Sequence, residues 1–126
     1  MQFISIPNAP RSVGHYSPGV ISGNFIYVSG QVPMDPVTGE KVTGSFDAQC
    51  RQALNNLKTI LEGAGGNLNH VVKVNAYITD INDWAEFNAI YAEYFGEHRP
   101  ARAVLPVGPL HYGFKVEIEA IAEISA

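Results

Sequence analysis

Charge is scarce in this sequence. Only 16% of its 126 residues are Asp, Glu, Lys or Arg, against roughly a quarter in an average soluble domain. A surface this short of charge is expected to be covered in part by something other than water, and self-association is the simplest cover. The eight Lys and Arg residues are scattered and the net charge is −4, which argues against a nucleic-acid surface, because that needs a basic stripe. Cysteine is nearly absent. Cys50 stands alone, so no disulfide forms within the chain, and a reducing, cytoplasmic compartment is expected. No apolar run reaches the roughly 20 residues of a membrane span. The start, Met1 to Pro7, has neither a basic region nor a long apolar stretch, so no signal peptide is expected.

Several kinds of chemistry are missing as well. There is no GxGxxG after a strand-like run, no Walker loop and no GxSxG elbow. His15, His70, His98 and His111 are far apart, and none has a His or Cys partner at ligand spacing, so no metal site is expected. Ser29-Gly30 ends a strand-like run, yet nothing marks a Ser/His/Asp triad around it. Cys50 falls in an apolar helical stripe and reads as a small buried hydrophobe rather than a nucleophile.

What is present suits one domain over residues 1–126, with 46% hydrophobic residues to build its core. Residues 2–6 alternate weakly as an edge strand closed by Pro7. The loop Asn8 to Pro18 is irregular. Runs 19–22 and 25–29 read as strands joined by a Gly23-Asn24 hairpin turn. Ser45 or Asp47 caps a helix over about 46–62, whose stripe is Phe46, Cys50, Ala53, Leu54, Leu57, Ile60 and Leu61. Residues 71–78 form a strand in which Val72, Val74, Ala76 and Ile78 share one face. Asp80 or Asn82 starts a second helix, ending near Phe95, with Trp84, Phe87, Ile90, Tyr91 and Tyr94 or Phe95 as its core stripe. Two strands follow, the second with Phe114, Val116, Ile118, Ala120, Ala122 and Ile124 alternating with Lys115, Glu117, Glu119, Ile121, Glu123 and Ser125. This order predicts an α+β sandwich, a mixed sheet with two helices on one face. The other face is left bare for partner subunits.

One position in the fifth of these strand-like runs breaks the rule that an apolar stretch excludes charge. Arg102, inside Ala101–Val107, is either a salt-bridged structural residue, with Glu117 on the next strand as a candidate partner, or an anion receptor whose rigid fork matches a carboxylate. Asn88 poses a similar choice, between a buried hydrogen-bond anchor and a solvated amide. His111, in the loop before the last strand, is the one histidine placed to matter.

Taken in order, the pieces Asn8-Ala9-Pro10, Gly14-His15-Tyr16-Ser17-Pro18-Gly19, Ser29-Gly30-Gln31-Val32-Pro33, Gln52 to Leu57, Asn88 to Tyr91, Pro100-Ala101-Arg102 and Val116 to Ala122 resemble the RidA (YjgF) family over nearly the whole chain. The most specific element is PAR followed by EIEA. The resemblance implies a chorismate-mutase-like fold and a homotrimer whose bare sheet faces build a central barrel, with sites in clefts between subunits. It implies hydrolysis of enamines and imines such as 2-aminoacrylate to 2-oxo acids and ammonia, with no cofactor. By position, Arg102 would grip the substrate carboxylate and Glu117 would hold the attacking water. Tyr16, Ser29 and Asn88 would line the cleft, and Gly30 would form its wall.

The chain departs from the family pattern in three places. Val104 stands where the family often has Cys, which removes any thiol role there. His15 stands where Pro is common. The segment Leu105 to Phe114 is unusually apolar and aromatic, which leaves room for a different imino acid such as 2-aminomuconate. A small-carboxylate-binding regulatory module is the alternative to an enzyme. An RNA-cleaving translation inhibitor, also linked to the family, is disfavoured by the acidic charge.

Overall fold

The computed structural model describes residues 1–12 and 14–124. Val13, inside the expected loop, and Ser125, last in the expected alternation, lie outside the described residues. The chain runs β1 (Gln2–Ile4), β2 (Gly19–Ser22), β3 (Phe25–Gln31), α1 (Phe46–Gly63), β4 (Val71–Ile78), α2 (Trp84–Phe95), β5 (Ala101–Pro106) and β6 (Val116–Glu123). The element order read from the sequence therefore holds. The six strands form one sheet in the order β1-β2-β3-β6-β4-β5. Every neighbouring pair is antiparallel except β4 with β5. That pair is parallel because α2 carries the chain back between them, as a parallel connection requires.

Alternation along β6 sets the two faces of the sheet. Val116, Ile118, Ala120 and Ala122 are buried. They join Ile26 and Val28 of β3, Val74, Ala76 and Ile78 of β4, and the apolar stripes of both helices in one core. Phe46, Cys50, Ala53, Leu54, Leu57, Ile60 and Leu61 of α1 are all in that core, so the stripe expected from helical spacing is the observed one. Ser45 caps α1 by accepting from the Ala48 N–H at 3.2 Å, a contact worth about 1 kcal/mol. The other face has no helix. It presents Tyr27, Lys73, Asn75, Tyr77, Glu117 and Glu119, in partial exposure.

Four local expectations need correction. A bulge between Val71 and Lys73 shifts the register of β4 on β6. It turns Val71 into the core and leaves Val72 41% exposed, because an extra residue reverses the side-chain alternation. Strand β3 runs through Ser29 and Gly30 to Gln31 with an irregular register there, instead of stopping before Gly30. Asp80 caps a short 3-10 turn, Ile81–Asp83, and α2 starts only at Trp84. Trp84 is 40% exposed and is not a core residue, since it sits on the first turn of α2, at the rim of the packed layer.

Two buried amides in α1 tie the loops to the core. Asn56 donates to the carbonyls of Val32 and Met34 at 3.1 and 2.8 Å. Gln49 accepts from the Lys115 N–H at 2.9 Å. Together they fix both ends of the region where β3 leaves the sheet and β6 enters it. Asn56→Ala strands the Met34 carbonyl, while that of Val32 keeps the Met34 N–H at 2.7 Å, and should lower unfolding free energy by about 1–2 kcal/mol. Urea denaturation should show this as a lower midpoint at unchanged slope; an unmoved midpoint would show that these bonds do not hold the loop.

Candidate active site

Arg102 lies on β5, the edge strand, paired in register with Val74 of β4. Val74 is fully buried under the helices, so Arg102 points to the helix face. Its guanidinium carbon lies 4.7 Å from the ring centre of Tyr91, 5.6 Å from that of Trp84 and 5.8 Å from that of Phe87. All three rings come from one stripe of α2, at i, i+3 and i+7. Such contacts attract the cation and cover its flat face, while the in-plane N–H groups stay free. Among the described residues Arg102 has no acidic partner; both ion pairs belong to Arg51, with Asp47 and Glu93. The pairing of Arg102 with Glu117 considered from the sequence is therefore not made within the chain. Asn88 is exposed and shares with Arg102 a hollow of about 500 Å³ that His98 and Arg99 also line and no carboxylate does. His98 is oriented by a 2.7 Å contact from its Nε2 to the Val71 carbonyl.

Glu117 lies elsewhere. It pairs with Tyr77 across β4 and β6, on the face without helices. Strand β4 lies between β6 and β5, so the sequence neighbours β5 and β6 are not sheet neighbours. Arg102 and Glu117 of one chain point to opposite faces and form no pair. Burial, and then the nearby Glu119 carboxylate, hold the Glu117 carboxyl above its ordinary value. Gly30 lies directly against that carboxylate: a Cβ there would fall on Glu117 Oε2 and lie 2.9 Å from its Cδ. Gly30 is therefore the wall that lets Glu117 fold over β3. Ser29 donates its hydroxyl to the Ser17 carbonyl at 2.7 Å, which leaves its oxygen free to accept. This bond also ties the loop of Tyr16, itself 60% exposed, to β3. Glu119 is committed to structure, accepting from the Tyr77 hydroxyl at 2.6 Å and from Asn75 at 3.2 Å.

The proposed residues thus fall into two groups. Tyr16, Ser29, Gly30 and Glu117 gather on one side of the chain. Asn88 and Arg102 gather on the other, with Trp84 and Tyr91 as supports. Sequence reasoning assigned those aromatics to the core and missed their second role. Their i, i+3, i+7 spacing was visible, but nothing in it says which cation will lie on them. Val104 follows Arg102 on the same face of β5, opposite Ala76. Burial pushes the Cys50 thiol up to about 12, so it holds no thiolate near neutrality. His111 is stacked on Tyr112 at 3.7 Å, and Lys41 lies over the Tyr112 ring at 4.5 Å. Among the described residues no group of three or more His, Cys, Asp or Glu is placed to hold a metal. No helix among them is long and apolar enough to cross a membrane.

Known proteins match this chain over nearly its whole length. A family model described as endoribonuclease L-PSP matches residues 6–124. A RutC family protein of Pyrococcus horikoshii is 50% identical over 121 residues, 96% of each chain. The 2-iminobutanoate/2-iminopropanoate deaminase of Escherichia coli is 45% identical over 122 residues, 94% of each chain. The crystal structure of RidA from an Antarctic Psychrobacter superposes with a TM-score of 0.92 at 45% identity, covering 98% of this chain and 100% of that one.

The state of Glu117 gives a prediction with a fixed sign. Its carboxyl takes up protons more readily in the folded chain than in the unfolded one, so its charged form opposes folding. That cost is absent below the ordinary carboxylate range and appears as pH rises through the folded value. Glu117→Gln should therefore raise the thermal midpoint at pH 7.5 and leave it unchanged at about pH 3.5, below both values. Calorimetry at the two pH values measures this, and equal shifts at both would contradict it.

Proposed function

The chain belongs to the endoribonuclease L-PSP family, also called the RidA/YjgF family, and from that premise we propose that it hydrolyses 2-imino acids and their enamine tautomers to 2-oxo acids and ammonia. The observation that carries this reading is Arg102: a guanidinium seated on three rings, with free N–H edges and no acidic partner among the described residues. A group held in this way is a preorganised carboxylate receptor.

The chemistry asks little more. The enamine first tautomerises to the imine. Water then forms a C–O bond to C2, and the C=N π pair passes to nitrogen, which takes a proton. The nitrogen of the resulting carbinolamine takes a second proton, the C–N bond breaks with its electron pair leaving on ammonia, and the hydroxyl proton released as the C=O bond forms replaces the one taken up, giving the 2-oxo acid. Arg102 anchors the carboxylate next to C2. Glu117 takes the proton from water and returns it to nitrogen; burial and the nearby Glu119 make it a stronger base than an ordinary carboxylate. The Ser29 oxygen accepts from the water or the carbinolamine. Tyr16 and Asn88 close the cleft, and Gly30 leaves Glu117 the space it occupies. Placement of water against an already electrophilic carbon supplies much of the rate, and no cofactor takes part.

Because Arg102 and Glu117 of one chain face opposite ways, the cleft we propose is built from two copies, Arg102 and Asn88 from one and Glu117, Ser29, Gly30 and Tyr16 from the next. A cyclic trimer in which the bare faces meet provides three such clefts. It also covers the exposed Tyr27 and the partly buried Tyr77 of a surface poor in charge. Ribonuclease action, suggested by the family description, finds no basic stripe on this acidic chain.

The direct test is 2-oxo acid release when a threonine or serine dehydratase generates the enamine in situ. The protein should accelerate release, and Arg102→Ala should lower kcat/KM about a hundredfold, as expected for the loss of roughly 3 kcal/mol of charge-assisted hydrogen bonding. Equal acceleration by both proteins would remove the role given to Arg102. No acceleration by the parent protein would favour a carboxylate-binding module.

A further inference from the structure

The hydroxyl of Tyr91 is the one buried side-chain polar atom among the described residues that finds no hydrogen-bond partner. Tyr91 is only 7% exposed, and the other buried polar side chains are engaged, Gln49 with backbone groups and Asn56 with two carbonyls and the Gln52 amide. A stranded donor of this kind costs stability, so its persistence points to a partner that arrives from outside. Its position says which. The Tyr91 ring carries the Arg102 guanidinium at 4.7 Å and borders the hollow shared by Arg102 and Asn88. Stacking on Phe95 at 4.3 Å fixes the ring. Burial pushes the phenol up to about 12, opposed by the Arg102 charge, so the group is an O–H donor at any pH near neutrality.

We propose that Tyr91 is a substrate-binding residue whose hydroxyl donates to the same carboxylate that the free edges of Arg102 grip while its flat face stays on the ring. The proposal rests on Arg102 as the carboxylate receptor. A carboxylate offers about four lone-pair sites, enough for a bidentate arginine and one further donor. Tyr91 and Arg102 line the same hollow, so a carboxylate held on the arginine's edges lies beside the phenol. The ligand class is a small 2-oxo or 2-imino monocarboxylate.

Trp84 provides the readout. It is the only tryptophan in the chain, and its ring lies 5.6 Å from the Arg102 guanidinium. Its fluorescence should follow a titration with 2-oxobutanoate, a 2-oxo acid product of the proposed reaction that is not turned over without ammonia. Tyr91→Phe keeps the ring and removes the stranded hydroxyl. It should weaken binding about tenfold, as loss of one hydrogen bond to a charged group implies, and raise KM with kcat little changed. Its thermal midpoint should equal or exceed that of the parent protein. A purely structural hydroxyl would instead lower the midpoint and leave affinity alone, which would overturn the proposal, as would affinity within twofold of the parent. Arg102→Ala separates the two claims. If it abolishes binding while Tyr91→Phe binds normally, only the Tyr91 proposal fails. If Arg102→Ala binds normally, or the parent gives no saturable response, the carboxylate receptor fails and Tyr91 fails with it.

Discussion

A guanidinium resting on aromatic rings is the contact on which the site depends. Arginine carries about 2 kcal/mol of side-chain rotamer entropy, and an arginine free to sample it would bind a small carboxylate weakly. Here Trp84, Phe87 and Tyr91 of α2 cover the flat face of Arg102 and leave its edges open. Much of the ordering cost is met on folding, before a ligand arrives. The rings do this without a counter-ion, so the positive charge stays available. An acidic partner in their place would hold Arg102 as firmly and spend its charge.

That contact exists because of the crossover from β4 through α2 to β5. The connection makes β5 parallel to β4 and puts it at the sheet edge, directly below the helix that supplies the rings. The same topology inserts β6 between β3 and β4 and sends Glu117 to the opposite face. Under the proposed function one chain therefore holds two half-sites, the arginine under the helices and the acid on the bare face beside Gly30 and Ser29. The raised proton affinity of Glu117 and the stranded hydroxyl of Tyr91 are both locally unfavourable. Such costs are typical of groups kept for chemistry rather than stability.

Much of this was legible in the sequence, and the failures have physical causes. The α1 stripe and the β6 alternation were read correctly because each element packs one face against a single core, which is the condition under which periodicity is a clean signal. Val72 was misplaced because a bulge reverses alternation without changing composition. Trp84 was assigned to the core because hydropathy does not distinguish a ring packed on apolar side chains from one packed on a cation. The suggested approach of Glu117 to Arg102 failed because sequence neighbours need not be sheet neighbours: β6 pairs with β3 and β4, and never with β5. Recognition of the ordered motifs named both residues, but their separation within the chain is a three-dimensional fact.

The central claim is that the two half-sites are completed between copies of the chain, and mixing two inactive variants tests it most directly. Arg102→Ala and Glu117→Gln each damage every cleft of their own homotrimer. Unfolded together in equal amounts and refolded, they form mixed trimers. A cleft that takes Arg102 from one copy and Glu117 from the next is intact wherever a Glu117→Gln chain supplies the arginine and an Arg102→Ala chain supplies the acid, about one cleft in four for random cyclic assembly. Deaminase activity near a quarter of that of the parent protein, absent from either variant refolded alone, is the predicted result. A mixture no more active than its components would place both residues in one chain's site and contradict the account.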